Sequence, residues 1–375
     1  MSGPRACDPC LRRAWLVGSL SDSIDRALGS RAGSRTRELL ALGDEELSAA
    51  VAESNPELIL RRSRERDPSR LRAAVRGAHC WACCRHDEGY PVGLTDLGDA
   101  PAVLFGRGDP ALLARLGRDA AATVVGSRRP SAYGKERAAA VAGELAAAGL
   151  AVVSGLALGI DSCAHRGALD AGGFTVALLG SGADEPSPAR SRALYEEILD
   201  SGLILSELPP GTGARRWTFP ARNRIMAALG AITVVVEARN RSGSLITADI
   251  AKDLGRDVGA VPGQVGSSAA AGTNDLIHQG AALIRDGQDA LDSLLGPGVI
   301  GVPGRGRPRP DLSGQLAAVL EAVEAGAGTQ DEIARESALG AGAVAVALTR
   351  LELLGLVDCD SAGRYWATGI AFEAA

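Results

Sequence analysis

Short, continuous apolar runs recur through the middle of the chain: Thr123–Val125, Leu150–Val153, Thr175–Leu179, Leu203–Leu205, Ile232–Val236 and Val258–Val261. Helical stretches separate them, and nearly all end in Gly, Ser, Pro or an acid. Brief apolar strands alternating with helices predict a parallel sheet covered on both faces. Ligands of such sheets bind beyond the carboxyl ends of the strands, where these polar residues fall. Before this region, Leu39, Leu40, Leu42, Leu47 and Val51 recur at helical spacing, and Asp44 precedes Glu45 and Glu46 as a helix start. Residues 1–85 are therefore expected to form a helical N-terminal domain and residues 86–295 the α/β domain. Residues 296–311 (GPGVIGVPGRGRPRP and Asp311) read as a Pro/Gly linker. Residues 312–375 follow with three helices, over Ser313–Ala325, from Thr329, and over Ala341–Leu354, and a β-like segment around Val357 and Tyr365–Trp366. That is the pattern of a winged helix.

Composition changes this picture little. Of 375 residues, 46% are hydrophobic and 3% aromatic, so the core is built from Ala, Leu, Val and Ile. Nearly all of the 40 basic residues are Arg, Lys135 and Lys252 being the lysines, so an arginine carries meaning only inside a motif. The formal charge of -5 excludes a globally basic coat but not a local phosphate-binding groove. The arginine run from Arg61 to Arg76, broken by Glu65, Asp67 and Pro68, fits a solvated helix face better than a nucleic-acid arm. No apolar run approaches the ~18 residues that span a bilayer, and seven cysteines are no disulfide framework. A soluble, cytoplasmic protein with no membrane partner is expected.

The first strand runs into Gly126, Ser127, Arg128 and Arg129 and then a helix. A glycine there lets backbone N–H groups approach an anion, and Arg128 can grip phosphate oxygens. Alone, the segment suits either phosphate binding or an ordinary turn. The second strand ends in Ser154 and Gly155, with Asp161 and His165 beyond. These two form either an acid–base pair or, more simply, a structural cap beside a packed histidine. Arg222, Asn223 and Arg224 open a later helix, a set suited to a polyanion. Ser242, Gly243, Ser244, Gly263, Thr273 and Asn274 complete the candidate turns.

Taken together, GSR (126–128), SGLALGID–AH (154–165), FPARNRIMAALG (219–230), VVEA (235–238), SGSLITA (242–248), GRDVGAVPG (255–263) and GTNDLI–GA (272–281) resemble the DNA-processing protein A (DprA/Smf) family. The matches run in order over roughly residues 86–295. The resemblance implies an extended Rossmann-like, doubly wound domain that binds single-stranded DNA, protects incoming DNA and loads the RecA recombinase during natural transformation. It implies a non-enzymatic protein that forms homodimers through an apolar edge near Leu276 and Ile277. It places phosphate contacts on the GSR turn, on Arg222–Arg224 and on Ser242–Ser244. One departure stands out: Ser187 occupies the place of a family Tyr, with Arg190 and Arg192 nearby to compensate. Trp217 and Phe219 are the most plausible stacking platforms among few aromatics.

The runner-up reading is a Rossmann-like nucleotide-processing hydrolase, with Glu237 and His165 as acid–base groups, but Val261–Gln264 only partly echoes the Gly-rich turn it needs. Separately, Cys7-x2-Cys10 and Cys80-x2-Cys83 are compatible with a structural zinc in the N-terminal domain or with free thiols. The winged helix, with Arg335, Arg350 and Arg364 against nine acids, favours a protein contact over duplex reading.

Overall fold

The apolar runs become the parallel heart of a nine-stranded sheet. In the computed structural model the described residues are 4–29, 32–52, 55–296, 312, 314–354, 356–359 and 363–367. The chain enters the sheet through β1 (Trp81–Cys84) and β2 (Val103–Arg107) and continues through β3 (Ala121–Val125), β4 (Ala151–Ser154), β5 (Thr175–Leu178), β6 (Leu203–Ser206), β7 (Ile232–Val235) and β8 (Asp257–Ala260) to β9 (Ala282–Leu283). The spatial order is β1-β2-β6-β5-β4-β3-β7-β8-β9. From β6 to β9 all neighbours are parallel, with Thr123 opposite Val153 and Val125 opposite Val235. β1 and β2 add an antiparallel edge beyond β6.

Because β4, β5 and β6 extend to one side of β3 and β7, β8 and β9 to the other, the winding reverses at β3. The carboxyl ends of β3 and β7 therefore flank a crevice that no crossover covers. Every residue of β3 to β7 is buried, as strands covered on both faces require.

Six helices precede the sheet: α1 (Asp8–Ser19), α2 (Ser21–Leu28), α3 (Ala32–Ala41), α4 (Asp44–Val51), α5 (Pro56–Arg64) and α6 (Pro68–Gly77). Seven more alternate with the strands: α7 (Ala132–Ala147), α8 (Ile160–Asp170), α9 (Arg192–Ser201), α10 (Thr218–Leu229), α11 (Gly243–Asp253), α12 (Ala271–His278) and α13 (Gly287–Leu295). The side chains of β3 alternate between layers. Ala122 and Val124 pack with Val141, Leu145, Ile160 and Leu291 of α7, α8 and α13. Ala121 and Val125 share the opposite core with Met226, Leu229 and Ala251 of α10 and α11.

The expected boundary after residue 85 is corrected by the sheet itself. β1 lies before that boundary yet pairs with β2 after it, and residues 1–302 form one compact unit. Trp15 of α1 meets Phe105 of β2 edge-on, with ring centroids 5.4 Å apart. Leu16, Ile24 and Leu47 share a core with Trp217.

Residues 303–375 form the second unit. α14 (Gln315–Glu324), α15 (Gln330–Glu336) and α16 (Ala341–Leu353) are followed by a hairpin of β10 (Val357–Cys359) and β11 (Tyr365–Ala367). Leu320, Val323, Ile333, Val344, Leu348 and Leu351 make its own core. Thr329 caps α15: its hydroxyl accepts from Glu332 N–H, while the Glu332 carboxylate accepts from the N–H of Thr329 at 2.9 Å. Apart from Gly296, the expected linker lies outside the described residues. No helix among the described residues is long and apolar enough to cross a membrane.

Candidate nucleic-acid interface

A cleft of about 830 Å³ opens at the reversal point, lined by the turns that follow β3, β4 and β7 and by the first turns of α10 and α11. Its first wall is the Gly126–Arg129 turn. The Ser127 N–H donates to the Glu237 carbonyl at 2.7 Å, and the Ser127 carbonyl accepts from Ile160 N–H at 3.1 Å. The backbone is thus held at both ends while Arg128 and Arg129 extend into solvent. Gly159, at φ +97°, lies against this turn, and an added Cβ would strike the Ser127 carbonyl oxygen. The Arg128 guanidinium sits 5.0 Å from the Phe219 ring centroid, so the two walls meet through a cation–π contact.

The facing helix ends differ in what they leave open. At α7, buried Glu237 accepts from the Ser131 N–H at 3.1 Å and hydroxyl at 2.6 Å, so the chain's own carboxylate already occupies that N-terminus. At α11, Ser242 caps the helix with its hydroxyl 2.9 Å from that of Ser244, and Ser242, Gly243 and Ser244 line the cleft.

The floor is a buried polar layer. Arg222, 5% exposed, donates through Nη1 to the carbonyls of Gly155 (2.6 Å) and Leu178 (2.7 Å) and through Nε to Asn223 Oδ1 (3.2 Å). A Cβ on Gly155 would occupy the guanidinium's place, so only glycine admits this arginine. Asn223 donates its amide to the Gly243 carbonyl at 3.2 Å. Asp161 accepts from the N–H groups of Gly155 (3.2 Å) and Ala157 (3.4 Å). Burial pushes the Asp161 carboxyl up and Arg222 down to about 10, each shift opposed by the other's charge.

Several expected site residues lie elsewhere. Arg224 is 1% exposed and turned away from the cleft, bonded to Asp99 Oδ2 (2.7 Å) and Glu207 Oε2 (2.7 Å). The reason is helical: side chains two positions apart point about 200° apart, so Arg222 and Arg224 cannot share one face. Trp217 is no stacking platform, since its indole is fully buried and donates to the Ser21 carbonyl at 3.0 Å. Ser154 lies beneath the floor, its hydroxyl donating to the Val124 carbonyl at 2.7 Å. Gly263 and Asn274 exchange two hydrogen bonds, and buried Thr273 bonds the Ala270 carbonyl; none of the three lines the cleft. Arg190 and Arg192 are exposed but also lie outside it. Leu276 is buried in the core of its own chain, and Ile277 packs partly buried against it.

Asp161 and His165 are separately employed, as the structural reading required. The Thr175 hydroxyl donates to the Val152 carbonyl (2.7 Å) and so accepts from His165 Nδ1 at 2.7 Å. Burial drives the His165 pKa down to about 3. Of the cysteines, Cys80 and Cys83 point into two different cores, while Cys84 and His86 approach Cys7 and Cys10.

Sequence reasoning missed Arg216, Arg239, Asn240 and Arg241, all exposed in the cleft lining. The signal was present: Ala-Arg-Asn-Arg occurs at 221–224 and again at 238–241, and the second copy follows β7 at the reversal point. In all, six arginines and one carboxylate, Asp161, line the cleft.

Fold and cleft together define a doubly wound α/β protein with an arginine-lined crevice at its reversal point, followed in sequence by a winged-helix unit. The family described as DNA recombination-mediator protein A matches residues 81–295, and the DprA winged helix domain matches residues 303–363. A DNA processing protein DprA of Mycobacterium tuberculosis is 45% identical over 268 residues, spanning 70% of this chain and 68% of its own. Among solved structures, DNA processing protein A of Streptococcus pneumoniae superposes with a TM-score of 0.60 at 34% identity, over 70% of this chain and 93% of that one. DNA processing protein A of Helicobacter pylori, described for its single-stranded DNA binding mode, gives a TM-score of 0.52 at 31% identity, over 58% and 97%. The chain belongs to the DNA recombination-mediator protein A (DprA) family.

Proposed function

We propose that this protein binds single-stranded DNA in the cleft at the reversal point, protects incoming DNA and loads RecA onto it in the cytoplasm during natural transformation, with no catalytic step of its own. The observation that carries the reading is charge: a chain of net charge -5 lines this cleft with six arginines and one carboxylate. Five of them, Arg128, Arg129, Arg216, Arg239 and Arg241, are exposed and take no part in the ion pairs among the described residues. Arginines on loops around a shallow crevice suit a phosphodiester backbone, and Phe219 offers one aromatic face for a base. The hydrolase reading weakens because its acid–base groups are spoken for: Glu237 caps α7, and His165 lies under the sheet's helical layer, fully buried. Self-association would use the β9 edge, where Leu283 is exposed and Ile277 half-buried. The winged-helix unit, rich in acids, would then contact protein rather than duplex.

The test is a gel shift with single- and double-stranded DNA of equal length at two salt concentrations. Each phosphate contact on a single strand contributes about −0.7 to the log–log salt slope, so five arginines allow a slope approaching about −3.5. Equal affinity for both forms, or binding insensitive to salt, would refute the assignment. RecA loading is tested separately, by whether the protein speeds RecA filament assembly on DNA already covered by a single-strand-binding protein.

A further inference from the structure

The cysteine and histidine cluster at the sheet's antiparallel edge is independent of the cleft. Cys7 Sγ lies 3.5 Å and Cys10 Sγ 3.3 Å from His86 Nδ1. With Cys84, all four ligand atoms fall within 4.8 Å of one another. A tetrahedral zinc with Zn–S near 2.3 Å and Zn–N near 2.0 Å places sulfur and nitrogen about 3.5 Å apart and two sulfurs about 3.8 Å apart. The two sulfur-to-nitrogen separations at His86 match the first of these figures, and the 4.8 Å bound on the rest leaves the four ligands within reach of a single ion.

The backbone explains why these four converge and the expected four do not. Cys7 and Cys10 stand at the cap and first turn of α1, with Leu11 N–H bonded to the Cys7 carbonyl at 3.0 Å. Extended residues before the helix pair with β1: Ala6 N–H donates to the Ala82 carbonyl at 3.1 Å. Along β1, successive side chains face opposite sides, so Cys83 enters one core while Cys84 faces α1. A turn closed by Asp87 N–H to the Cys84 carbonyl (2.8 Å) then brings His86 back over Cys84. The Cys7 N–H also points at Cys84 Sγ from 3.5 Å, the amide-to-sulfur contact that stabilises a thiolate ligand. Cys80 instead bonds the Ala78 carbonyl.

We propose that Cys7, Cys10, Cys84 and His86 hold a structural zinc ion that fastens the start of α1 to the end of β1. Three thiolates and one imidazole favour zinc over hard cations, and four protein ligands leave no position for substrate, which makes the site structural. The ion bridges segments more than seventy residues apart in sequence and so adds a long-range tie where α1 covers the edge of the sheet.

Full-length protein, purified reduced from zinc-containing medium, is expected to carry about one zinc per chain by elemental analysis. Cobalt(II) in its place should give the strong thiolate charge-transfer and d–d bands of a tetrahedral site. His86→Ala, at an exposed position, should lose the metal. His86→Cys should keep it with shifted cobalt bands, and Cys80→Ala should keep it unchanged. Reduced wild-type protein that takes up neither zinc nor cobalt would overturn the proposal, as would Cys80→Ala losing metal as fully as His86→Ala.

Discussion

Arg224→Ala and Arg128→Ala separate the two roles that arginine plays around α10. The Arg224 guanidinium makes five hydrogen bonds, two to Glu207 (2.7 and 3.2 Å), two to Asp99 (2.7 Å to its carboxylate, 3.0 Å to its carbonyl) and one to the Ala221 carbonyl at 2.8 Å. Removing it strands two carboxylates whose side chains are 4% and 11% exposed. Breaking a buried pair in this way costs about 3–5 kcal/mol. Arg37 stands 3.8 Å from Asp99, too far for a hydrogen bond but near enough to offset part of the charge, which favours the lower end. An unfolding entropy of about 2 cal/mol/K per residue, over a unit of roughly 300 residues, converts 3 kcal/mol into a fall of about 5 °C in Tm. Single-strand affinity and its salt slope should be unchanged in the folded variant. Arg128→Ala should do the reverse, leaving Tm within about 1 °C while binding weakens several-fold and the slope flattens by about 0.7. Circular dichroism melts and anisotropy titrations of a labelled oligonucleotide in a salt series read both quantities. If Arg224→Ala kept its Tm and lost one contact's worth of salt slope, the assignment of Arg224 to a buried ion cluster would be wrong.

His165 supplies a pH dependence. Its folded pKa of about 3 lies below the ordinary 6.5, so below pH 6.5 the unfolded chain binds a proton that the folded chain refuses. Stability therefore holds above pH 6.5 and falls toward pH 3, by up to about 1.4 kcal/mol per pH unit. His165→Leu should flatten the difference between urea midpoints at pH 7 and pH 5, and an unchanged difference would sink the argument. Deleting residues 303–375 removes an acid-rich unit with its own core, so single-strand affinity should stay the same or rise slightly. A several-fold loss in the same titration would show that the winged helix contacts DNA.

The parallel strands were legible because a strand buried on both faces must be mostly apolar, and the β-branched, largely apolar runs Ile232–Val235 and Ala121–Val125 can be little else. β1 and β9 were not. Trp-Ala-Cys-Cys carries no β-branched residue, and β9 is two residues long. Both are held by pairing with neighbours that only the tertiary fold supplies. At the cleft, the Gly-Ser-Arg turn was readable from its place after a strand. The two Ala-Arg-Asn-Arg segments were not distinguishable by composition. Helical rotation buries the first, while the loop after β7 leaves the second exposed. Likewise the spacing of Cys80 and Cys83 suggested a pair, but alternation along the extended chain sends them into different cores and turns Cys84 toward Cys7 and Cys10, while the turn after β1 brings in His86.

Trp217 ties the cleft to a distant part of the chain, with a practical consequence for dissecting the protein. The segment carrying Arg216 and Phe219 into the cleft wall is gripped from α2: Arg215 pairs with Asp22 at 2.6 Å, and the Trp217 indole bonds the Ser21 carbonyl inside a shared core. The family match begins at residue 81, an inviting start for a minimal fragment. Such a fragment would uncover Trp217 and cut both anchors, leaving one bank of the crevice to drift relative to the Gly126–Arg129 turn opposite. The eighty residues upstream are thus a jig for the binding surface, and domain-swapping or trimming experiments on this chain should carry them along with the sheet.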